Sequence, residues 1–197
     1  MSTAERMGDA EVLESLERAG ALLTGHFALT SGRHSDRYVQ CARVLEDPAL
    51  TTRLAAEIVA RIGDRQIDLV AAPAVGGIIL GFAVAEALGV KFIFSEREKG
   101  RMTFRRSFTV PAGARVLVVE DVVTTGGSVA EVISLVETQG GEVPLVASLI
   151  DRGGEKAFDT ELLPLLQLKV ESWEPDECGL CADGKPLTSP GSRRIST

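Results

Sequence analysis

Short apolar runs and longer amphipathic segments alternate along the middle of this chain. The runs Ile67–Ala72, Lys91–Phe94, Arg115–Val119 and Val143–Ile150 are too short for helices and largely apolar on both sides. They predict buried strands. Between them, Ile78–Leu88 and Val129–Gln139 predict helices, the second with Val129, Val132, Ile133, Leu135 and Val136 at helical spacing. Strands alternating with helices predict βαβ units, hence an α/β fold with a parallel sheet flanked by helices. Upstream, Val12, Leu13, Leu16 and Ala19 predict an amphipathic helix stopped by Gly20. Pro48 starts another, with Leu54, Ala55, Ile58 and Val59 on one face. Residues 26–45 alternate and bend at Ser31-Gly32. Residues before about 45 and after about 165 fall outside the βαβ rhythm. One domain is expected, with a core over about 46–165 and a small hood from about 1–45 and 166–197.

The uncharged stretch Leu69–Ala85 approaches the roughly 18–20 residues that span a bilayer. Pro73, Gly76, Gly77 and Gly81 interrupt it, and Asp68 and Glu86 close it. It is read as strand, tight turn and buried helix, with no membrane role. In parallel sheets ligands bind at the carboxyl ends of strands, beside a switch in strand order. The loops Pro73–Gly77, Ser95–Arg106, Glu120–Ser128 and Asp151–Gly154 each follow a strand, so one rim should gather them.

At 197 residues the chain can bury a full core. Its net charge of −7 argues against general nucleic-acid binding, which needs clustered Lys and Arg. Any anionic ligand must be held by a local cationic cluster. Three cysteines offer no disulfide framework, and Met1–Ala10 has no apolar signal core, so a cytoplasmic protein is expected.

The most informative chemistry is at residues 115–128. An apolar strand runs into Glu120 and Asp121, and then into the small, polar turn Thr124-Thr-Gly-Gly-Ser128 that opens a helix. Such a turn presents backbone N–H groups and a helix N-terminus to a phosphate. The two carboxylates repel that phosphate but suit sugar hydroxyls or a magnesium ion. The stretch 95–106 holds Arg97, Lys99, Arg101, Arg105 and Arg106 around Gly100. Alone it reads as a solvated loop. Between two buried strands of an acidic protein it reads as a mobile basic flap over a pyrophosphate. Pro73–Gly77 alone is a plain turn; at this rim its glycines let backbone approach a phosphate. Arg152 is either a solvated loop charge or a bidentate partner for a carboxylate. His26 and His34 have no metal-ligand spacing around them, and each is expected to be a surface or hydrogen-bonding histidine. Cys178-Gly-Leu-Cys181 is a lone pair where zinc needs about four ligands. It is expected to be a structural or incidental thiol pair. No nucleophile beside a base and no Gly-Lys-Ser/Thr loop occurs, which argues against phosphoryl transfer from ATP.

The acidic pair with Thr124-Thr-Gly-Gly-Ser128 resembles the signature of type I phosphoribosyltransferases, which bind phosphoribosyl pyrophosphate. Phe27–Tyr38, Glu96–Arg106 and Leu149–Gly154 resemble the orotate phosphoribosyltransferase family in particular. Glu177-Cys-Gly-Leu-Cys181 and Pro190-Gly-Ser-Arg193 resemble one bacterial branch of it. The resemblance implies catalytic roles for Glu120, Asp121, Lys99 and Arg101. It implies phosphoribosyl pyrophosphate binding by Arg97 and by Glu120, Asp121, Val122, Val123, Thr124, Thr125, Gly126, Gly127 and Ser128. Thr124 and Arg152 would contact orotate, under a hood that includes Ser31–Tyr38. Magnesium is implied through substrate and water near Asp121, without a dedicated protein metal site. A homodimer sharing flap residues is implied, with no nucleic-acid partner. Many members carry lysine where this chain has Thr30 and Gly76, and Lys-x-His where it has Arg101-Met-Thr103. Those lysine and histidine roles therefore do not transfer. A purine-type phosphoribosyltransferase and a non-catalytic sensor on the same fold are the other readings.

Overall fold

The computed structural model describes residues 6–29 and 31–190. Thr30 and the Gly191–Arg193 end of the branch motif lie outside them. The predicted strands become β3 (Leu69–Pro73), β4 (Lys91–Glu98), β6 (Arg115–Val123) and β7 (Glu142–Asp151), all mutually parallel. Two strands were not legible in the apolar pattern. β8 (Leu162–Gln167) extends the parallel sheet beyond β7. β5 (Arg101–Phe104) returns antiparallel along β4 and makes the sheet mixed. The sheet order is β5-β4-β3-β6-β7-β8. Strand order therefore reverses between β3 and β6, and the loops after those two strands flank the crevice where ligands bind in such sheets.

Period-two alternation sends neighbouring residues of β6 to different cores. Leu117 and Val119 join one apolar cluster with Leu54, Ile58 and Leu80, while Val116 and Val118 join the other with Val129, Val132 and Val136. The first cluster lies under α3 (Pro48–Ile62) and α4 (Gly76–Leu88), the second under α5 (Gly127–Thr138). The opening helix α1 (Asp9–Arg18) adds Val12 and Leu16 to the first cluster. α3 begins where Asp47 accepts from the N–H groups of Ala49 and Leu50, ahead of Pro48. This cap and the fixed φ of proline satisfy the helix start locally. Leu69–Ala85 is β3, a tight turn and most of α4, and no helix among the described residues is long and apolar enough to cross a membrane.

A separate antiparallel hairpin of β1 (Leu22–Ala28) and β2 (His34–Val39) carries the Ser31-Gly32 bend. The short α2 (Ala42–Leu45) leads from it to the core. C-terminal chain bridges both edges of the hairpin: Thr188 beside Phe27, and Trp173 beside His34. The last helix, α6 (Gly179–Ala182), lies between those two bridges in sequence.

Candidate active site

The acidic pair closes β6. Sequence expectation ended this strand at Val119, but it continues to Val123 by pairing through Val123 opposite Asp151. Glu120 and Asp121 thus stand on a fixed strand end. The turn after β3 presses against them. A side chain at Gly76 would meet both carboxylate oxygens of Asp121 at 2.8 Å, and one at Gly77 would meet the Val119 carbonyl at 2.9 Å. The turn includes a cis peptide between Ala74 and Val75. Lack of a Cβ is therefore what lets the two switch-point loops touch.

Burial and the neighbouring Asp121 charge push the Glu120 carboxyl well above the usual carboxylate range. No ion pair joins either carboxylate to a cation among the described residues. Below them lies Cys41, buried, its thiol pushed up by burial and by the Asp121 and Glu120 charges. Tyr38 faces the same spot from β2. Burial raises its hydroxyl pKa, the Arg152 charge lowers it, and Asp121 raises it.

The turn Thr124–Ser128 enters α5 through Gly126, whose φ of 74° is left-handed. A Cβ there would strike the Phe158 ring at 2.4 Å. The N–H groups of Thr124, Thr125 and Gly126 donate to no backbone acceptor among the described residues. Together with the first turn of α5 they make a cluster of open donors at a helix N-terminus. Val122 and Val123 occupy the strand just before it; Val123 is buried, and its carbonyl accepts from the Arg152 N–H at 2.9 Å.

Lys156 was missed by sequence reasoning. Its ammonium donates to the carbonyls of Thr124 at 2.9 Å and Gly153 at 2.8 Å, and pairs with Asp151 at 2.7 Å. It therefore ties the phosphate-sized turn to the loop after β7. A lone lysine beyond Gly153-Gly154 carries no sequence signal for this, because its partners are backbone oxygens. Arg152 is half-buried beside Tyr38, with its Nε buried and unpartnered among the described residues. Desolvation lowers its pKa, and it makes no ion pair among the described residues.

The flap is a β-hairpin rather than a structureless loop. Glu98 pairs with Arg101 across a Lys99-Gly100 turn, and both turn residues have positive φ. Arg97 is committed to Glu131 of α5 at 2.6 Å, and the Met102 N–H donates to the same carboxylate at 3.1 Å. Arg106 forks onto Glu96. Lys99, Arg101 and Arg105 are exposed and make no ion pair among the described residues. No hydrogen bond or ion pair brings Lys99 or Arg101 to Glu120 or Asp121 within the chain.

The two histidines are hydrogen-bonded, the second of the two expectations for them: the His26 Nδ1 to the Lys185 carbonyl at 2.9 Å, and the His26 Nε2 to the His34 Nδ1 at 3.2 Å. His26 and His34 are buried, at 4 % and 7 % exposure, not at the surface. They meet each other and Cys178 and Cys181 in one cluster. Spacing along the chain hid this, because the hood joins residues from opposite ends of the sequence.

The geometry agrees with what the chain is similar to. Residues 42–163 match the family described as phosphoribosyl transferase domain. A relative from Desulforamulus reducens named orotate phosphoribosyltransferase is 48 % identical over 191 residues, covering 96 % of this chain and 100 % of that one. One of the same name from Heliobacterium modesticaldum is 51 % identical over 95 % of this chain and 100 % of its own. The crystal structure of orotate phosphoribosyltransferase from Aeropyrum pernix aligns with a TM-score of 0.70 at 29 % identity, over 80 % of this chain and 94 % of that one. Adenine phosphoribosyltransferase from Rhodothermus marinus aligns at 0.63 and 26 % identity, over 81 % and 99 %. An acidic strand end, an open-amide turn and a mixed sheet whose strand order reverses between β3 and β6 thus coincide with similarity over nearly the whole length, and the chain belongs to the phosphoribosyltransferase family.

Proposed function

We propose that this protein transfers the 5-phosphoribosyl group from phosphoribosyl pyrophosphate to orotate. The products are orotidine 5′-monophosphate and pyrophosphate, a step of pyrimidine synthesis. Its relatives' names support the reading, and Arg152 carries it in this chain. A half-buried guanidinium without an anion, joined through Val123 to the phosphate-sized turn, suits a carboxylated base. A purine offers it no carboxylate.

In this reading Thr124–Ser128 cradles the 5′-phosphate with open amides, and Glu120 and Asp121 hold the ribose hydroxyls. Two carboxylates without a protein cation are hard oxygen donors that fit magnesium, placed near Asp121 through substrate and water. Magnesium, when bound, neutralises charge on the departing pyrophosphate. Ring nitrogen attack at the ribose C1 passes through an oxocarbenium-like state, so the protein has little covalent work. Lys99, Arg101 and Arg105 are free to meet the leaving group, and Arg97 would first have to release Glu131. Tyr38 and the hood hairpin would exclude water above the base.

Flap cations that do not reach their own acidic pair favour a dimer that lends the flap across an interface. Val75, Ile79 and Phe82 support this. They are exposed by 82 %, 52 % and 61 %, and their spacing puts them on one apolar face beside the site. Free cysteines suit a reducing cytoplasm.

Arg152→Gln tests the base assignment. Losing a charge-assisted fork of about 1.5–3 kcal/mol should lower kcat/KM for orotate by about tenfold to a hundredfold. The KM for phosphoribosyl pyrophosphate should hold. Equal loss for both substrates would contradict the assignment.

A further inference from the structure

The hood contains four side chains that the proposed reaction does not use. His26 is on β1, His34 on β2, and Cys178 and Cys181 bracket the start of α6. One ligand atom from each lies within 4.8 Å of all the others. The His26 Nε2 is 3.2 Å from the His34 Nδ1, 3.4 Å from the Cys178 Sγ and 3.7 Å from the Cys181 Sγ. The Cys181 Sγ is 3.2 Å from the His34 Nδ1.

Those four separations are close to edges of the tetrahedron that ligands make around a metal. With bonds of about 2.3 Å to sulfur and about 2.05 Å to nitrogen, tetrahedral geometry gives about 3.3 Å between nitrogens and about 3.6 Å between nitrogen and sulfur. Hydrogen bonding alone accounts for the cluster poorly. The His26 Nδ1 sits 2.9 Å from the Lys185 carbonyl, which can only accept, so this nitrogen carries the proton. The neutral ring then has one bare lone pair, on Nε2, and it faces a nitrogen and two sulfurs at once. A single cation satisfies all of them. A ring nitrogen donating to a backbone carbonyl while the other points into a ligand cluster is also how metal-bound histidines are held.

Local structure places each ligand. The β1–β2 register shifts between Thr24 and Phe27, adding one residue to β1 at Gly25-His26. Such bulges re-aim a side chain. Ala28 lies opposite His34, so His26 is a diagonal neighbour of His34 on the same face. The turn Cys178–Cys181, closed by Cys181 N–H to the Cys178 carbonyl at 3.1 Å, brings both sulfurs to one side.

We propose that His26, His34, Cys178 and Cys181 form a structural zinc site that fastens the C-terminal segment to the hood hairpin. Two thiolates and two neutral imidazoles around a divalent cation give zero net charge, which suits a largely buried centre. Each zinc bound releases two thiol protons to solvent. All four positions are filled by protein, as in structural rather than catalytic sites. Closing loops of 152 and 147 residues, from His26 to Cys178 and from His34 to Cys181, strongly constrains the unfolded chain. The site is independent of the proposed transferase chemistry.

The test uses the full-length chain, purified without a histidine tag and under reducing conditions. Elemental analysis should find about one zinc per chain. Cobalt(II) in its place should give thiolate-to-metal charge-transfer and tetrahedral d–d bands. His34→Gln and Cys181→Ser should each lower zinc content about tenfold or more, whereas Cys41→Ser should keep it. Wild-type protein with under about a tenth of an equivalent of zinc and no cobalt bands would overturn the proposal, whatever the variants do. So would a Cys178–Cys181 disulfide in the fresh protein, seen as a mass lower by two hydrogens, or full zinc retention in both variants.

Discussion

Glu120 is a cost to the free protein. Its carboxyl is held well above its ordinary value of 4.5, mainly by burial and then by Asp121. The folded state therefore binds a proton that the unfolded state has released above that value. The stability this gives is full below about pH 4.5 and is lost as pH rises through the folded value. Glu120→Gln cannot ionise, so it should melt higher than wild type at pH 8, with the gap closing towards pH 4.5 in a thermal series. Its kcat/KM should fall by about tenfold or more if it holds the ribose hydroxyls in the proposed reaction. A gap that is constant with pH would contradict the strained carboxyl. The acidic pair itself is legible in sequence, as two charges ending an apolar run. Its strain is not, since that comes mainly from burial, which only the folded packing decides, and then from the neighbouring Asp121 charge.

At the scale of elements, the loops after β6 and β7 act as one unit because Lys156 joins them. Its pair with Asp151 is largely buried, at 14 % and 10 % exposure. Lys156→Met leaves that carboxylate without its cation and frees the Thr124 carbonyl. Breaking a pair of this kind costs about 2–4 kcal/mol, or roughly 5–15 °C in melting temperature for a chain of this size. The KM for phosphoribosyl pyrophosphate should rise as well, which a purely structural role would leave unchanged. The four long helices, α1, α3, α4 and α5, and the four inner strands could be read from apolar spacing. β8 could not, because Pro164 interrupts a short leucine run that shows neither alternation nor helical spacing. β5 could not either, because the charges that flank it mask a hairpin held by Glu131.

At the scale of the molecule, the parts of the proposed site are distributed. One chain brings together the acidic pair, the open-amide turn and Arg152, and leaves its exposed flap cations away from them. The apolar face of Val75, Ile79 and Phe82 gives a second copy somewhere to sit. Phe82→Glu should turn a dimer into a monomer in light scattering after gel filtration. The ring is exposed, so melting temperature should change by less than about 3 °C apart from the lost association. Activity should fall with the dimer. The hairpin and the C-terminal segment were legible as chain outside the βαβ rhythm, but α1 joins the main core instead, and the closure that links residues about 150 apart in sequence was not legible. The central claim is that a sugar-phosphate grip and a carboxylate-reading arginine share one site. The most direct measurement is product formation from phosphoribosyl pyrophosphate and magnesium with orotate, adenine and hypoxanthine offered separately. The account predicts orotidine 5′-monophosphate with stoichiometric pyrophosphate from orotate alone. Nucleotide formed from a purine, with orotate untouched, would contradict it.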